Sequence, residues 1–119
     1  MPEGRWSSDD SNMRTDAPAV VLPGDQAAFI ARAMRRVVTE GTARHAMDGS
    51  AISFAGKTGT AQLDVGLPHS WFTGFAPYDG DPLKRIAFAV LVEHGGYGAT
   101  AAAPIAREVM EAARQFGLL

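Results

Sequence analysis

The sequence of 119 residues contains no cysteine, which excludes a disulfide framework and a thiolate zinc site. Its histidines, His45, His69 and His94, lie too far apart to form a metal-ligand pattern. No apolar run approaches the roughly 18 residues of a membrane span, and no signal-peptide core follows Met1. A net charge of −2 gives no basis for binding nucleic acid. We therefore expect no metal, no cofactor, no nucleic-acid partner, no targeting signal and no membrane contact by this segment.

The composition is that of one small folded unit. Hydrophobic residues make up 46% of the chain and charged residues 20%, as in ordinary globular proteins. A chain of this size buries about two-thirds of its unfolded surface. Residues 1–18 are rich in turn-forming and polar residues, which predicts an irregular N-terminal segment. Residues 19–119 carry the periodic apolar patterns and are predicted to form the packed part of the chain.

Two helices are predicted, one near each end of the packed part. The first follows Pro23, with Asp25 as its N-cap and Gly41 as its left-handed stop. In the last helix, Arg107 and Glu111 are spaced to form a surface ion pair worth about 0.2–0.5 kcal/mol. The apolar residues of the first helix fall at helical spacing, which predicts a core-facing stripe: Ala27, Ile30, Ala31, Met34, Val37 and Val38.

Three strand-like runs lie between the helices, at residues 51–63, 69–76 and 85–93. Trp71 and Phe75 share a face of the second run and are predicted to belong to the core. The third run is apolar at both alternating positions, which predicts a strand covered on both faces. The order of helix, three strands and helix predicts an α+β fold, an antiparallel sheet flanked by N- and C-terminal helices.

The most informative stretch is Lys57-Thr58-Gly59-Thr60, in the first strand-like run. Side chains of a strand repeat every second residue, so the hydroxyls of Thr58 and Thr60 can converge on one anion. Lys57 adds a compact positive charge with three donors. Gly59 leaves room for a ligand, and the N–H of Thr60 is placed to serve as an oxyanion donor. The pattern favours a carboxylate-binding strand, with Lys57 and Thr60 as catalytic candidates and all four residues in substrate binding.

Three other interpretations compete with this site. In the first, Lys57 is an ordinary surface lysine and Gly59 marks a bulge. In the second, the stretch ends a phosphate-binding P-loop, but that motif requires glycine where the chain has Ala51. In the third, Ser53 or Ser70 is a nucleophile, but neither has a lysine three residues later, and Ser70 with its neighbour His69 lacks an orienting acid. The carboxylate site is the interpretation that uses all four residues.

Beyond the tetrapeptide, four segments occur in a specific order: a helix end leading to Gly-Thr-Ala, the lysine strand, an aromatic strand ending in Ala-Pro, and Ala-Ala-Pro-Ile-Ala after a glycine-rich link. They occupy residues 34–43, 55–62, 69–77 and 102–106. Together they resemble the C-terminal part of the transpeptidase domain of class B penicillin-binding proteins, whose signature includes K-T-G. On this resemblance, residues 19–119 are the C-terminal portion of such a domain.

The resemblance implies a penicillin-recognising fold, serine acyl-enzyme chemistry, and a peptidoglycan stem peptide or a β-lactam as the partner. Lys57, Thr58 and Thr60 would hold the terminal carboxylate of the D-Ala-D-Ala donor or of the β-lactam. Gly59 would let the substrate lie antiparallel to the strand, and the N–H of Thr60 would supply half of the oxyanion hole. The parent protein would act at the extracytoplasmic face of the bacterial cell membrane.

The two other motifs of that family, S-x-x-K and S-x-N, do not occur in the sequence. Lysine is found only at Lys57 and Lys84, and the residues three positions earlier are Phe54 and Asp81. The resemblance therefore implies a second partner, an N-terminal transpeptidase segment that carries both motifs. This chain alone is predicted to be inactive because it lacks the nucleophilic serine. The alternative is a non-catalytic binding or interaction module that retains part of the fold.

Overall fold

The computed structural model describes residues 19–119, in which two long helices pack on a three-stranded antiparallel sheet and a short helix packs against both of them. The predicted irregular segment, residues 1–18, lies outside the described residues. The sheet order is β1-β2-β3, which confirms the predicted α+β class and antiparallel sheet. The elements are α1 (Gly24–Thr39), α2 (Arg44–Met47), β1 (Ala55–Ala61), β2 (His69–Ala76), a 3₁₀ turn (Pro82–Lys84), β3 (Ile86–Val92) and α3 (Ala102–Gln115).

The core lies between the sheet and the helices. Phe54 and Phe72 are its largest fully buried side chains, and the ring of Phe88 packs against both of them. Small residues of α3 let this helix approach the sheet closely, since Ala102, Ala103 and Ala106 are all buried. The rest of the buried cluster comes from α1, from α2 and the turns on either side of it, from the end of β2 and from α3: Val38, Ala43, Met47, Ile52, Ala76 and Met110.

The opposite face of the sheet is open, which corrects two predictions. Side chains of a strand alternate between faces, and Ile86, Phe88, Val90 and Val92 of β3 turn toward the helices. The alternate residues of β3 are exposed, so this strand is covered on one face only. Trp71 of β2 is 39% exposed on the same open face and is not a core residue. Both predictions failed for the same reason: the apolar pattern of a strand shows which residues are apolar, and it does not show whether other elements cover the second face of the sheet.

Both predicted ends of α1 are wrong in detail. Asp25 lies inside the first turn and makes no capping bond; the helix starts after Pro23, whose carbonyl accepts from the N–H of Ala27. Gly41 does not adopt a left-handed φ. Glycine fits this position for a different reason: a Cβ there would lie 2.8 Å from the Cα of Val37. Residues 24–30, the first part of α1, are all exposed, including Ile30 of the predicted stripe at 45%, whereas Val38 is buried.

The predicted ion pair of α3 forms, with 2.9 Å between Nε of Arg107 and Oε1 of Glu111. The same guanidinium also donates to the carbonyls of Asp48 at 2.7 Å and Ala46 at 3.2 Å. These carbonyls lie at the C-terminal end of α2, where helix carbonyls lack partners within the helix. Arg107 therefore links α3 to α2, in addition to forming the predicted ion pair with Glu111.

We expect Arg107→Ala to lower the free energy of unfolding by about 1–2 kcal/mol, since it removes charge-assisted hydrogen bonds from two helix-end carbonyls. Arg36→Ala is the matched control. Arg36 and Glu40 also form an i,i+4 pair, with 2.8 Å between Nε and Oε1, but this pair does not link α1 to another helix. Urea unfolding should show a clear loss for Arg107→Ala and no measurable loss for Arg36→Ala. Equal effects would contradict a bridging role.

Candidate functional site at the free edge of the first strand

The strand β1 is an edge strand, and one of its edges carries backbone groups that β2 does not use. A Cβ built on Gly98 would touch the carbonyl of Trp71 and lie 2.7 Å from O and 2.9 Å from N of Gly59. Gly59 and Trp71 are direct partners in the register, so these neighbouring backbone atoms mark a hydrogen-bonded pair. In an antiparallel ladder such pairs alternate with non-bonded ones. The N–H and C=O groups of Thr58 and Thr60 therefore point away from β2, toward the free edge.

The ammonium group of Lys57 lies at this edge. Lys57 pairs with exposed Thr73, so its side chain leaves the strand on the open face of the sheet. Its Nζ nevertheless donates to the carbonyl of Thr58 at 2.7 Å, a carbonyl that points to the free edge. An ammonium has three protons, so two remain for an anion at the same place. The exposed lysine is thereby held at the edge by a backbone bond.

The hydroxyls of Thr58 and Thr60 lie on one face of the sheet, as the strand period predicts. Thr58 pairs with Phe72 and Thr60 pairs with Ser70, and both of these partners are buried under the helices. The two threonines are half-buried at the rim of that face. The side chain of Lys57 thus leaves β1 on the open face of the sheet, and those of Thr58 and Thr60 leave it on the helical face.

A third hydroxyl, not identified as a site residue from the sequence, lies at the same edge. The Oγ of Thr42 lies 2.7 Å from the Oγ of Thr58. Thr42 belongs to the tight turn between α1 and α2, which is closed by hydrogen bonds from the N–H groups of Gly41 and Ala43 to the carbonyl of Val37. Its distance of 16 positions from Thr58 is the reason that local spacing could not reveal the contact.

The loop between β3 and α3 packs against the backbone of β1 and β2 at Gly59 and Trp71. Ser70 is fully buried, and its Oγ donates to the carbonyl of Tyr97 at 2.9 Å and accepts from the N–H of Ala102 at 3.0 Å. These two bonds hold Gly98 against the backbone of Gly59. Ser70, considered as a nucleophile from the sequence, has both of its hydrogen-bonding roles occupied in the interior. Its position suits support of the strand and not attack on a substrate.

Gly98→Ala is expected to lower the free energy of unfolding by about 1–3 kcal/mol, the usual cost of overpacking. The added methyl would meet backbone atoms of Gly59 and Trp71, which cannot turn aside as a flexible side chain can. Gly24→Ala is the control, because no atom lies within 4 Å of a Cβ at that position and its φ is not in the left-handed region. Thermal unfolding of the two variants compares them directly. A Gly98→Ala protein as stable as the control would contradict the close contact.

Ser53 also has a structural role: its Oγ accepts from the N–H of Asp79 at 2.9 Å, in the turn after β2. Among residues 19–119 no cluster of three or more histidine, aspartate or glutamate side chains could hold a metal ion. Of the helices in the same range, none combines the length and apolar character needed to cross a lipid bilayer.

Comparisons with known proteins agree on one family. Residues 13–111 match the profile described as penicillin binding protein transpeptidase domain. Peptidoglycan D,D-transpeptidase MrdA of Haemophilus influenzae is 37% identical, over 67% of this chain and 14% of the relative. A crystal structure of Pseudomonas aeruginosa PBP2 in complex with WCK 5153 superposes with a TM-score of 0.69 at 40% identity, over 80% of this chain and 21% of that one.

A third similarity is to penicillin-binding protein A from M. tuberculosis, solved as an imipenem acyl-enzyme complex. It has a TM-score of 0.59 and 38% identity, over 77% of this chain and 20% of that one. The chain therefore spans between 14% and 21% of the length of these three relatives. The similarity accounts for the order and packing of the described elements.

Proposed function

The chain belongs to the penicillin binding protein transpeptidase domain family, and we propose that it supplies the carboxylate-binding strand of a peptidoglycan D,D-transpeptidase. The observation that carries this proposal is the free edge of β1, where the Lys57 ammonium and the hydroxyls of Thr58 and Thr60 can meet one anion. The anion is the terminal carboxylate of a D-Ala-D-Ala stem peptide or the carboxylate of a β-lactam. Gly59 gives the extended ligand room to lie along the edge.

The N–H of Thr60 is one donor of the oxyanion hole in this proposal. It points to the free edge, and it is two residues along the chain from the N–H of Thr58, on the same side of the strand. A fixed backbone donor aimed at a developing oxyanion is worth about 10²–10³ in rate. The scissile carbonyl of a ligand whose carboxylate lies at Lys57 and Thr58 would reach this amide.

The nucleophile comes from outside these 119 residues, since they contain no S-x-x-K sequence. The acyl-enzyme would form on the serine of a partner transpeptidase segment that carries S-x-x-K and S-x-N. That serine attacks the penultimate D-Ala carbonyl, the terminal D-Ala leaves, and an amine of a second stem peptide then displaces the serine. This chain alone forms no acyl-enzyme, and the reaction takes place at the extracytoplasmic face of the bacterial membrane.

Carboxylate binding is testable on the isolated chain by NMR. We expect N-acetyl-D-alanyl-D-alanine to shift the amide signals of Lys57, Thr58, Gly59 and Thr60. Two charge-assisted hydrogen bonds of about 1.5 kcal/mol each correspond to a Kd of roughly several millimolar. The methyl ester of the dipeptide, which has no carboxylate charge, is the ligand control, and Lys84→Gln is the matched control for Lys57→Gln. A titration in which acid and ester shift the same signals equally would contradict the carboxylate site.

The catalytic part of the proposal requires a complete domain. We define the reconstituted domain as this chain joined to the upstream part of the transpeptidase domain of penicillin-binding protein A from M. tuberculosis. A fluorescent penicillin should label the reconstituted domain covalently and leave the isolated chain unlabelled. A labelled isolated chain, or a folded reconstituted domain that stays unlabelled, would overturn this assignment. If the hybrid does not fold, the NMR titration still decides whether the strand binds carboxylate.

The alternative function is a non-catalytic interaction module, and exposed apolar side chains favour it. Phe29 of α1 is 66% exposed, and Val109 of α3 and Phe116 at the end of α3 are 55% and 82% exposed. Such a module would exist as an intact and monodisperse 119-residue product in the cell. Its surface would bind a partner protein with no dependence on Lys57. Partner binding that persists in Lys57→Gln, in a chain that shows no carboxylate-dependent shift in the titration, would favour this alternative over the transpeptidase proposal.

A further inference from the structure

We propose that Thr42 is a positioning residue of the carboxylate site, acting through the hydroxyl of Thr58. This inference rests on the proposed function, because it concerns the same carboxylate. It starts from the 2.7 Å contact between the two Oγ atoms. Either oxygen can be the donor in that bond when no ligand is present, since each hydroxyl carries one proton and two lone pairs.

Binding of a carboxylate removes this freedom. A carboxylate only accepts hydrogen bonds, so Thr58 must point its single proton at the ligand. The Oγ of Thr58 then keeps a lone pair toward Thr42, and the bond between the threonines persists only if Thr42 is the donor. The result is a chain from the hydroxyl of Thr42 to that of Thr58 and on to the carboxylate. Bonds in such a chain strengthen one another.

The fold holds Thr42 in place for this role. The N–H groups on either side of it, those of Gly41 and Ala43, donate to the carbonyl of Val37 at 3.2 and 3.1 Å. Ala43 is fully buried, which anchors the turn to the core. Gly41 packs so closely on Val37 that a Cβ would lie 3.0 Å from its carbonyl oxygen. Thr42 itself is exposed, so its hydroxyl can be removed without disturbing the packing of the turn.

The test uses the isolated chain and the same NMR titration with N-acetyl-D-alanyl-D-alanine. Thr42→Val keeps the branched shape and removes the hydroxyl, and we expect it to weaken binding about fivefold, the value of one hydrogen bond. Thr42→Ser keeps the hydroxyl and should bind within about twofold of the original chain. Thr39→Val is the matched control, since the Oγ of Thr39 donates to the carbonyl of Arg35 within α1 and lies outside the site.

A double-mutant cycle separates positioning from direct contact. In a Thr58→Val background, Thr42→Val should cause no further loss, because the residue through which it acts is gone. Binding that Thr42→Val leaves unchanged, or a loss that persists undiminished in the Thr58→Val background, would overturn the inference while the carboxylate site remains. If the original chain shows no carboxylate-dependent binding, the proposed function fails first and the inference fails with it.

Discussion

Replacing Phe72 by alanine is expected to lower the free energy of unfolding by about 3–5 kcal/mol, the cost of removing a fully buried aromatic ring. Phe72 is 0% exposed on the middle strand, and its ring centroid lies 5.6 Å from that of Phe88. On its other side the ring reaches Gly56, where a Cβ would lie 2.5 Å from Cζ of Phe72. The side chain of Phe72, on β2, therefore packs against residues of both neighbouring strands.

The loss should be seen by urea unfolding as a lower midpoint with an unchanged slope. Phe116→Ala is the matched control, since the same residue type is 82% exposed there, and it should change stability by less than about 0.5 kcal/mol. Thr58 is the register partner of Phe72. The cavity left by the missing ring would therefore lie beside Thr58, on the helical face of the sheet. If both phenylalanine variants were equally stable, the assignment of the core to the helical face of the sheet would be wrong.

The parts of the fold that follow from local chemistry were predictable from the sequence. The aromatic run predicted at residues 69–76 is the strand His69–Ala76, because aromatic residues favour strands and Pro77 marks the end of the run. The third run was predicted at residues 85–93 and forms Ile86–Val92. The first was predicted too long, at residues 51–63, because a run of small residues does not mark where pairing begins; β1 is Ala55–Ala61.

The parts that depend on distant residues were not predictable. Thr42 reaches Thr58 because a turn between two helices lies beside an edge strand, and no local pattern encodes that meeting. The role of Gly98 depends on where a loop crosses β1 and β2, and the glycine-rich sequence predicted only a bend. The four residues of the lysine strand were identified because their chemistry is concentrated in four consecutive positions. Their roles in binding and catalysis stay predictions, which the titration and labelling experiments test.

Thr60→Pro is expected to slow acylation of the reconstituted domain by about 10²–10³, the usual value of one oxyanion donor. Proline has no N–H, so the substitution deletes the proposed donor itself. The strand should tolerate it, because the amide of Thr60 points to the free edge and edge strands accept proline where the N–H faces away from the ladder. Gly59, the preceding residue, already lies within an extended strand, the conformation that a residue before proline prefers.

The hydroxyl of Thr60 is also lost in this variant, so Thr60→Ala is the required control. Alanine keeps the N–H and removes only the hydroxyl, and we expect its acylation rate to fall far less than that of the proline variant. The measurement is the rate of covalent labelling by a saturating fluorescent penicillin, which reports the chemical step and not the binding of the carboxylate. Far-ultraviolet circular dichroism establishes that both variants are folded. If the proline and alanine variants were acylated at the same rate, the oxyanion donor would not be the amide of Thr60, and the strand would contribute to carboxylate binding alone.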